Sequence, residues 1–457
     1  MKKQQILSLL YVALSLVNGS SQPLGNTDPF RGIDSLLAQE YDLPGPGIVV
    51  LASQDGTVVF EKSYGLADIE SQRELSTDMV FQIGSMTKQF TSTAVLQLVE
   101  AGEISLDDSV QTYLPFFPVK EHTLTIYHLL SQTSGIPEFF DVDENEFAIL
   151  NQEHTPQELI RYFQDRPLQF EPGSRFAYSN SNYPLLGAII EVVSGMPLAE
   201  YLEKYLFGPL NMQHTSLWYQ DNNNSPIPKG YRLNTQNEFV EGPAIDGSTV
   251  YAAGGIVSTL SDLHIWNREL SDPQYLSRKL VKQLHKEKKT TTGQGTGYGY
   301  GFFVEGLGKY EVIQHGGNMY GFTSTALYIP KREVYVCVLS NRALDNTKNI
   351  ARYIASQIID DPIAYFRQLP VDKMGDYLGS YQMEGSEGKV IRVGSFEGNL
   401  IIYPADAPGS EVDIYLTGPD TFQSPKVDIR IVFKRGATGA VVGCRVYQGG
   451  TFEFIRL

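Results

Sequence analysis

The run IGSMTKQFT, Ile83–Thr91, places a serine and a lysine three residues apart, Ser85 and Lys88, directly behind a glycine and at the start of a helical apolar pattern. On a helix, positions i and i+3 share a face, so Lys88 Nζ can reach the Ser85 hydroxyl. A serine hydroxyl is a weak nucleophile that needs a base, and a lysine at its ordinary pKa of about 10.4 is protonated and cannot serve as one. Desolvation beside the first helical turn would push that pKa down, while the helix N-terminal dipole would favour a serine alkoxide. The alternative is a capping serine followed by a solvated lysine, a pairing that recurs by chance.

Two further stretches carry chemistry. In FAYSNSNY, Tyr178-Ser179-Asn180 follows the turn-rich EPGSR and precedes a helical pattern. The Tyr178 oxygen could relay a proton between serine and leaving group if positive charge on Lys88 lowers its pKa, and the Asn180 carboxamide could hold both Lys88 and a substrate amide. The same residues also read as a helix cap behind a packed tyrosine. In QHGGNMYGF, His315-Gly316-Gly317 ends a strand pattern with two residues that would let a substrate backbone come close. Such an edge can bind an extended substrate and supply half of an oxyanion hole, or it is simply a turn.

The elements that must position these groups are legible from periodicity. GIVVLASQDGTVVFEKSYGLAD, from residue 46 on, reads as a hairpin at the start of an antiparallel sheet. Apolar spacing of three and four predicts helices over 85–100, 126–130, 155–163, 182–193 and 198–207. Strand patterns return as YEVIQHGG, FTSTALYIP and EVYVCVLS, then a helix over 348–359 stopped by Asp360-Asp361-Pro362. The glycine-rich run 293–303 reads as a loop and strand entry near the cleft. After a linker, short β-rich segments spaced by Gly and Asp turns predict a small all-β barrel. The order strands, helices, strands indicates an α+β fold in which early and late strands share one sheet.

The chain divides into a leader over 1–21, a main domain over 22–362 and a linker with a β-rich domain over 363–457, as expected of 457 residues. MKKQQ, the apolar run 6–17 and the small, polar NGSSQ have the regions of a secretory signal peptide, and the run is shorter than the ~20 residues that span a bilayer. The mature protein is therefore expected to be exported, periplasmic or extracellular, with no stable membrane anchor. A formal charge of −16 argues against nucleic acid and anionic lipid as partners. Two cysteines, Cys337 and Cys444, are too few for a disulfide scaffold and read as separately buried thiols. Histidines 122, 128, 154, 214, 264, 285 and 315 form no metal-ligand spacing, and run 293–303 lacks a dinucleotide fingerprint, so neither metal nor other cofactor is implied. No G-x-S-x-G occurs, which removes an α/β-hydrolase from consideration.

Taken together and in this order, the three motifs resemble those of the serine β-lactamase and penicillin-binding-protein superfamily, specifically its class C-like branch of D-Ala-D-Ala carboxypeptidases, D-aminopeptidases and esterases. VFQIGSMTKQFT, LTIYHLLSQTSGIPEFF, FEPGSRFAYSNSNYPLLGAIIEVVSG, VYAAGGIVSTLSDL and GYGYGFFVEG look like family segments in family order. The resemblance implies a five-stranded antiparallel sheet with flanking helices beside an all-helical subdomain, the site lying between them. It makes Ser85 the acylated nucleophile, Lys88 and Tyr178 the proton-transfer pair, Asn180 a substrate-orienting amide, and the backbone N–H groups of Ser85 and Asn318 the oxyanion hole. His315, Gly316 and Gly317 take the substrate-binding third-motif position, where class C β-lactamases carry Lys-Thr-Gly; a mostly neutral histidine should anchor a carboxylate less firmly. Gln132 stands where relatives often show histidine. The C-terminal segment resembles a lipocalin-like appendage that could cover the cleft, bind a hydrophobic ligand or drive oligomerisation. The implied activity is hydrolysis of peptide amides, on D-amino-acid or cell-wall-type peptides, ahead of small esters. β-Lactam hydrolysis and a non-turnover acylated sensor are the alternatives, with a small molecule or peptide as the partner in every case.

Overall fold

The computed structural model of the chain describes residues 30–41, 44–139, 151–217, 227–234, 236, 238–363, 365–386, 388–396, 398–424, 427, 429–448 and 451–457. The leader expected over 1–21 lies outside the described residues. Helix α1 (Arg31–Glu40) precedes the hairpin of β1 (Ile48–Gln54) and β2 (Thr57–Tyr64), whose turn residues Asp55 and Gly56 both take positive φ, 50° and 73°. Asp-Gly is suited to that turn because glycine and aspartate tolerate the left-handed region. A single 3-10 turn, Gly84–Met86, runs into α2 (Thr87–Glu100). Helices α3 (Asn182–Ser194) and α4 (Gly247–Gly254) pack on α2. The chain then returns as β3 (Phe303–Leu307), β4 (Tyr310–Met319), β5 (Phe322–Ile329) and β6 (Val334–Ser340), followed by α5 (Thr347–Ile358).

These strands form one antiparallel sheet in the order β3-β4-β5-β6-β1-β2. It carries six strands where five were expected. The addition is β3, in which Phe303 to Leu307 pair with Gln314 to Tyr310. Five residues with a glycine among them give too short an alternation to stand out from the loop before them. Strand β6 explains its unbroken apolar run: all seven residues are buried. Tyr335, Cys337 and Leu339 join a core with α2 and the helical side, while Val334, Val336 and Val338 join a second core with α1 and α5. A strand covered on both faces needs apolar side chains at every position.

On the helical side the expected helices stand within a residue or two of their predicted ends, at Ile126–Leu130, Pro156–Arg161, Asn182–Ser194 and Thr347–Ile358. The segment predicted over 198–207 is α-helical only over Leu198–Leu202 and continues as a π turn, Glu203–Phe207. Among the described residues no single helix is long and apolar enough to cross a membrane.

The C-terminal segment closes into an eight-stranded barrel between Gly379 and Arg456, its first and last strands pairing Tyr381 with Arg456. Its interior is occupied by Tyr377, Tyr381, Phe422 and Phe433, whose ring centroids lie 4.9–5.7 Å apart. Cys444 is buried there and Cys337 in β6, both as free thiols. The barrel docks through the linker: Arg367 and Leu416 exchange backbone hydrogen bonds of 3.0 and 2.9 Å, and Phe366 meets the Tyr415 ring edge-on at 6.2 Å.

Candidate active site

Strand β4 is pressed against the turn that carries Ser85. Gly84 has φ of 51°, and a Cβ there would come 3.1 Å from the Asn318 backbone nitrogen. At Gly317 a Cβ would fall 2.0 Å from the Ile83 carbonyl oxygen, which already accepts a 2.8 Å hydrogen bond from Ser324 Oγ. This corrects the expectation for the glycine pair: at Gly317 the approaching backbone is the protein's own. Without side chains at 84 and 317 the end of β4 can lie beside the nucleophile turn, which brings the Asn318 and Ser85 backbones together.

Lys88 has no solvent exposure, and its Nζ lies 3.0 Å from Ser85 Oγ, 2.7 Å from Asn180 Oδ1 and 2.8 Å from the Ala253 carbonyl oxygen. Ala253 lies two residues past a kink at Tyr251, a non-glycine residue with φ of 36° whose hydroxyl donates to Glu191 at 2.7 Å. Strain of that kind persists where the surroundings overdetermine it. Burial pushes the Lys88 pKa down to about 7, with the Glu138 carboxylate pulling weakly the other way. A neutral amine has two N–H donors and one lone pair. The donors match Asn180 Oδ1 and Ala253 O, which leaves the lone pair for the Ser85 hydroxyl proton.

Tyr178 is hydrogen-bonded to Ser85, and Lys88 Nζ sits 5.1 Å from its ring. The expected lowering of its pKa by Lys88 is not found. Burial pushes the phenol up, with the neighbouring Tyr183 and Glu138 adding to it, so Tyr178 stays a proton-bearing phenol. Behind it lies a buried chain in which Ser92 Oγ and Tyr183 OH are 3.2 Å apart, Tyr183 bonds Tyr298, and Tyr298 OH is 3.3 Å from His315 Nε2. His315 Nδ1 lies 2.6 Å from the Gly316 carbonyl oxygen, an obligate acceptor, so Nδ1 carries the hydrogen and Tyr298 donates to Nε2. The His315 ring is 2% exposed and its pKa is pushed down to about 3, by burial and then by Lys88. His315 is therefore neutral, as expected, but its ring faces Tyr298, Tyr178 and Phe303 rather than open solvent.

Asn180 is held at both ends. Its Oδ1 accepts from Lys88, while its Nδ2 and its backbone N–H donate to Glu138 Oε2 at 3.0 and 2.7 Å. Glu138, within SGIPEFF, is a site residue that motif reasoning missed; a lone glutamate after a proline carries no spacing signal. Tyr183 and Tyr298 were missed as well, the second because it sits in the glycine-rich run. Gln132 now has a structural account: buried at φ of 58°, its Oε1 accepts from Ser179 N at 2.9 Å and from the Asn182 amide, which holds the Tyr178–Asn180 turn in place.

Two cavities flank Ser85. One of about 780 Å³ runs past Asn180, Val250 and Met319, and one of about 910 Å³ runs past Tyr178, His315 and Thr325. Gln368 of the linker borders both, and the barrel contributes Gly398 to the first and Asn399 and Tyr415 to the second. Among the described residues no group of three or more His, Cys, Asp or Glu is placed to hold a metal ion.

Comparison with known proteins bears on the family and the fold. A family model described as Beta-lactamase matches residues 34–359. Protein flp of Staphylococcus aureus (strain N315) is 30% identical over 340 residues, covering 73% of this chain and 67% of flp. Among solved structures, the octameric penicillin-binding protein homologue from Pyrococcus abyssi has a TM-score of 0.69 at 23% identity, over 94% of this chain and 100% of that one. Coverage of that extent takes in most of the barrel. The D-amino acid amidase from Ochrobactrum anthropi SV3 has a TM-score of 0.63 at 22% identity, over 73% of this chain and 99% of that one. At these identities the two structures establish a shared fold.

Proposed function

The chain belongs to the β-lactamase family, within the serine β-lactamase and penicillin-binding-protein superfamily, and we propose that this serine hydrolase forms an acyl-enzyme on Ser85 and releases it to water. The observation that carries the reading is the Lys88 amine: wholly buried, in contact with Ser85 Oγ, and held by two oxygens that are both uncharged. Neutral Lys88 takes the Ser85 proton as Oγ attacks the substrate carbonyl carbon. The backbone N–H groups of Ser85 and Asn318 receive the developing oxyanion. The proton then passes from the Lys88 ammonium through the Tyr178 phenol to the departing amine or alcohol, which restores both groups. In deacylation a water gives its proton to the same pair, its oxygen adds to the acyl carbon, and Ser85 Oγ leaves and is reprotonated.

His315 and Gly316 form the strand edge along which an extended substrate lies, Gly317 packs that strand against the Ser85 turn, and Asn180 keeps Lys88 in place between nucleophile and substrate. The preferred substrate is a peptide amide, with D-amino-acid or cell-wall-type peptides ahead of esters and esters ahead of β-lactams. The absence of a third-motif lysine supports that order, and the amidase fold relationship is consistent with it. The leader-like N-terminal residues support export, and the octameric assembly named for the Pyrococcus abyssi homologue supports a test for self-association through the barrel.

Ser85→Ala should abolish labelling by a fluorophosphonate; undiminished labelling refutes the assignment. The purified protein tested against D-Ala peptides, p-nitrophenyl esters and a chromogenic cephalosporin ranks the substrate classes. Intact mass followed over time separates turnover from sensing, because an acyl adduct that persists without released product belongs to a sensor.

A further inference from the structure

The chain carries a net charge of −16, and cations around the cleft are generally paired. Lys229 meets Asp68, Glu70 and Glu241 at 3.5, 3.5 and 3.8 Å, and Lys348 and Arg352 share Glu305 at 2.9 and 3.6 Å. Arg232, which is exposed, and Arg342, half-buried with its charge reaching Glu40, are held less directly. Both line the cavity of about 780 Å³ that starts at Ser85 and Asn180, and among the described residues neither forms an ion pair. Arg342 Nε is buried without a hydrogen-bond partner, and its guanidinium rests 5.4 Å over the Phe239 ring. The buried carboxylates on that side are occupied: Glu40 accepts from Tyr365, and Asp345 accepts from Tyr41, Ser340 and the Asn346 N–H. The rest of the wall is largely apolar, including Leu233, Val250, Met319, Leu344 and the linker's Val371, with Gly398 of the barrel at its outer side.

We infer that this flank of the cleft binds the part of the substrate that bears a carboxylate at the end of a short apolar segment, with Arg342 and Arg232 receiving the carboxylate. The inference rests on the assignment of Ser85 above and adds the substrate's charge to it. A guanidinium presents paired N–H donors that match a carboxylate edge, and at Arg342, whose Nε is buried, apolar surroundings strengthen the attraction. The apolar wall suits the methylene or aliphatic segment between scissile bond and anion. On the opposite flank His315 is neutral and packed among aromatic rings, and Lys348 and Arg352 are engaged with Glu305.

The test compares the p-nitrophenyl ester of pentanoic acid with the mono-p-nitrophenyl ester of glutaric acid, equal in carbon count and differing by a terminal carboxylate. A second pair, phenyl acetate and 3-carboxyphenyl acetate, places the carboxylate on the leaving group. In one pair or the other the anionic ester should be preferred at least about tenfold in kcat/KM, and Arg342→Gln with Arg232→Gln should erase that ratio while the neutral ester changes little. Because the ratio is taken within each variant, partial loss of folded protein cancels. Titration calorimetry of adipate against adipamide on the Ser85→Ala protein reads the same pocket without chemistry. Adipate should bind at least about tenfold more tightly, and less so in the Arg232→Gln/Arg342→Gln background. Equal binding of adipate and adipamide, or an ester ratio unmoved by both substitutions, overturns the inference. Fluorophosphonate labelling that persists undiminished in Ser85→Ala, with the adipate preference intact, would instead overturn only the catalytic assignment.

Discussion

The floor of the cleft and the C-terminal barrel both bury tyrosine and phenylalanine rings, but they treat charge in opposite ways. In the barrel, Tyr377, Tyr381, Phe422 and Phe433 fill the interior, while Arg435 stays at the surface, where it meets Asp420 and Asp376 at 2.9 and 3.1 Å. Beneath the cleft, Lys88, Tyr183 and Tyr298 are wholly buried and His315 nearly so. An amine taken out of water without a directly paired carboxylate favours its neutral form, which is a penalty for folding and an asset for a general base. The barrel follows the ordinary rule of apolar inside and charged outside; the cleft breaks it where the chemistry is, and departures of that kind mark functional sites.

The largest expected effect is on catalysis. Lys88→Ala should lower kcat/KM at least about a thousandfold, equivalent to about 4 kcal/mol of barrel-independent transition-state stabilisation, with an unchanged circular dichroism spectrum. A near-normal rate would remove the distinction between the two regions. Next comes the barrel core: Phe433→Ala should cost about 3–5 kcal/mol in urea unfolding monitored on the barrel, while Ser85 labelling per folded molecule holds. A parallel fall in labelling would show that the cleft depends on barrel packing.

The buried amine also predicts a pH-dependent stability. With a folded pKa of about 7, Lys88 has released a proton that the unfolded chain still holds up to its ordinary pKa of about 10.4. Stability therefore rises with pH across that window, and the full penalty is present below it. Lys88→Met should raise the unfolding free energy relative to the parent most at pH 6, by on the order of 2–4 kcal/mol, and less as pH approaches 10. A pH-independent difference would mean that the amine is not neutral in the folded protein.

The smallest effect sharpens the role of Glu138. Its carboxylate raises the Lys88 pKa, so Glu138→Gln should move the acid limb of the pH–rate profile to lower pH. A uniform rate loss with an unmoved limb would reduce Glu138 to a strut for Asn180.

Much of this was visible in the linear chain because the signals are local. The Ser85 turn, the helix behind it and the β6 run with its continuous apolar pattern each declare themselves within a dozen residues, since periodicity and turn chemistry are short-range properties. The helix predicted over 198–207 was legible in extent but not in its π turn, because side-chain spacing does not distinguish one extra residue per turn. The sixth strand was hidden by its brevity, and Glu138 by having no partner in sequence: it finds Asn180 across 42 residues.

The chain by itself determined which groups exist and which local elements carry them: a serine and a lysine one helical turn apart, a tyrosine-asparagine turn, and a strand ending in His315-Gly316-Gly317. Only the tertiary structure decided their protonation and direction. The Lys88 pKa falls to about 7 because the fold takes its amine out of water, between Asn180, 92 residues away, and Ala253, 165 residues away. Tyr178 keeps its proton for the same reason, and Gly317 serves the protein's own backbone because Ile83 lies against it. Desolvation and close contact are sums over neighbours in space, and those neighbours are assigned only when the sheet, the helices and the barrel come together.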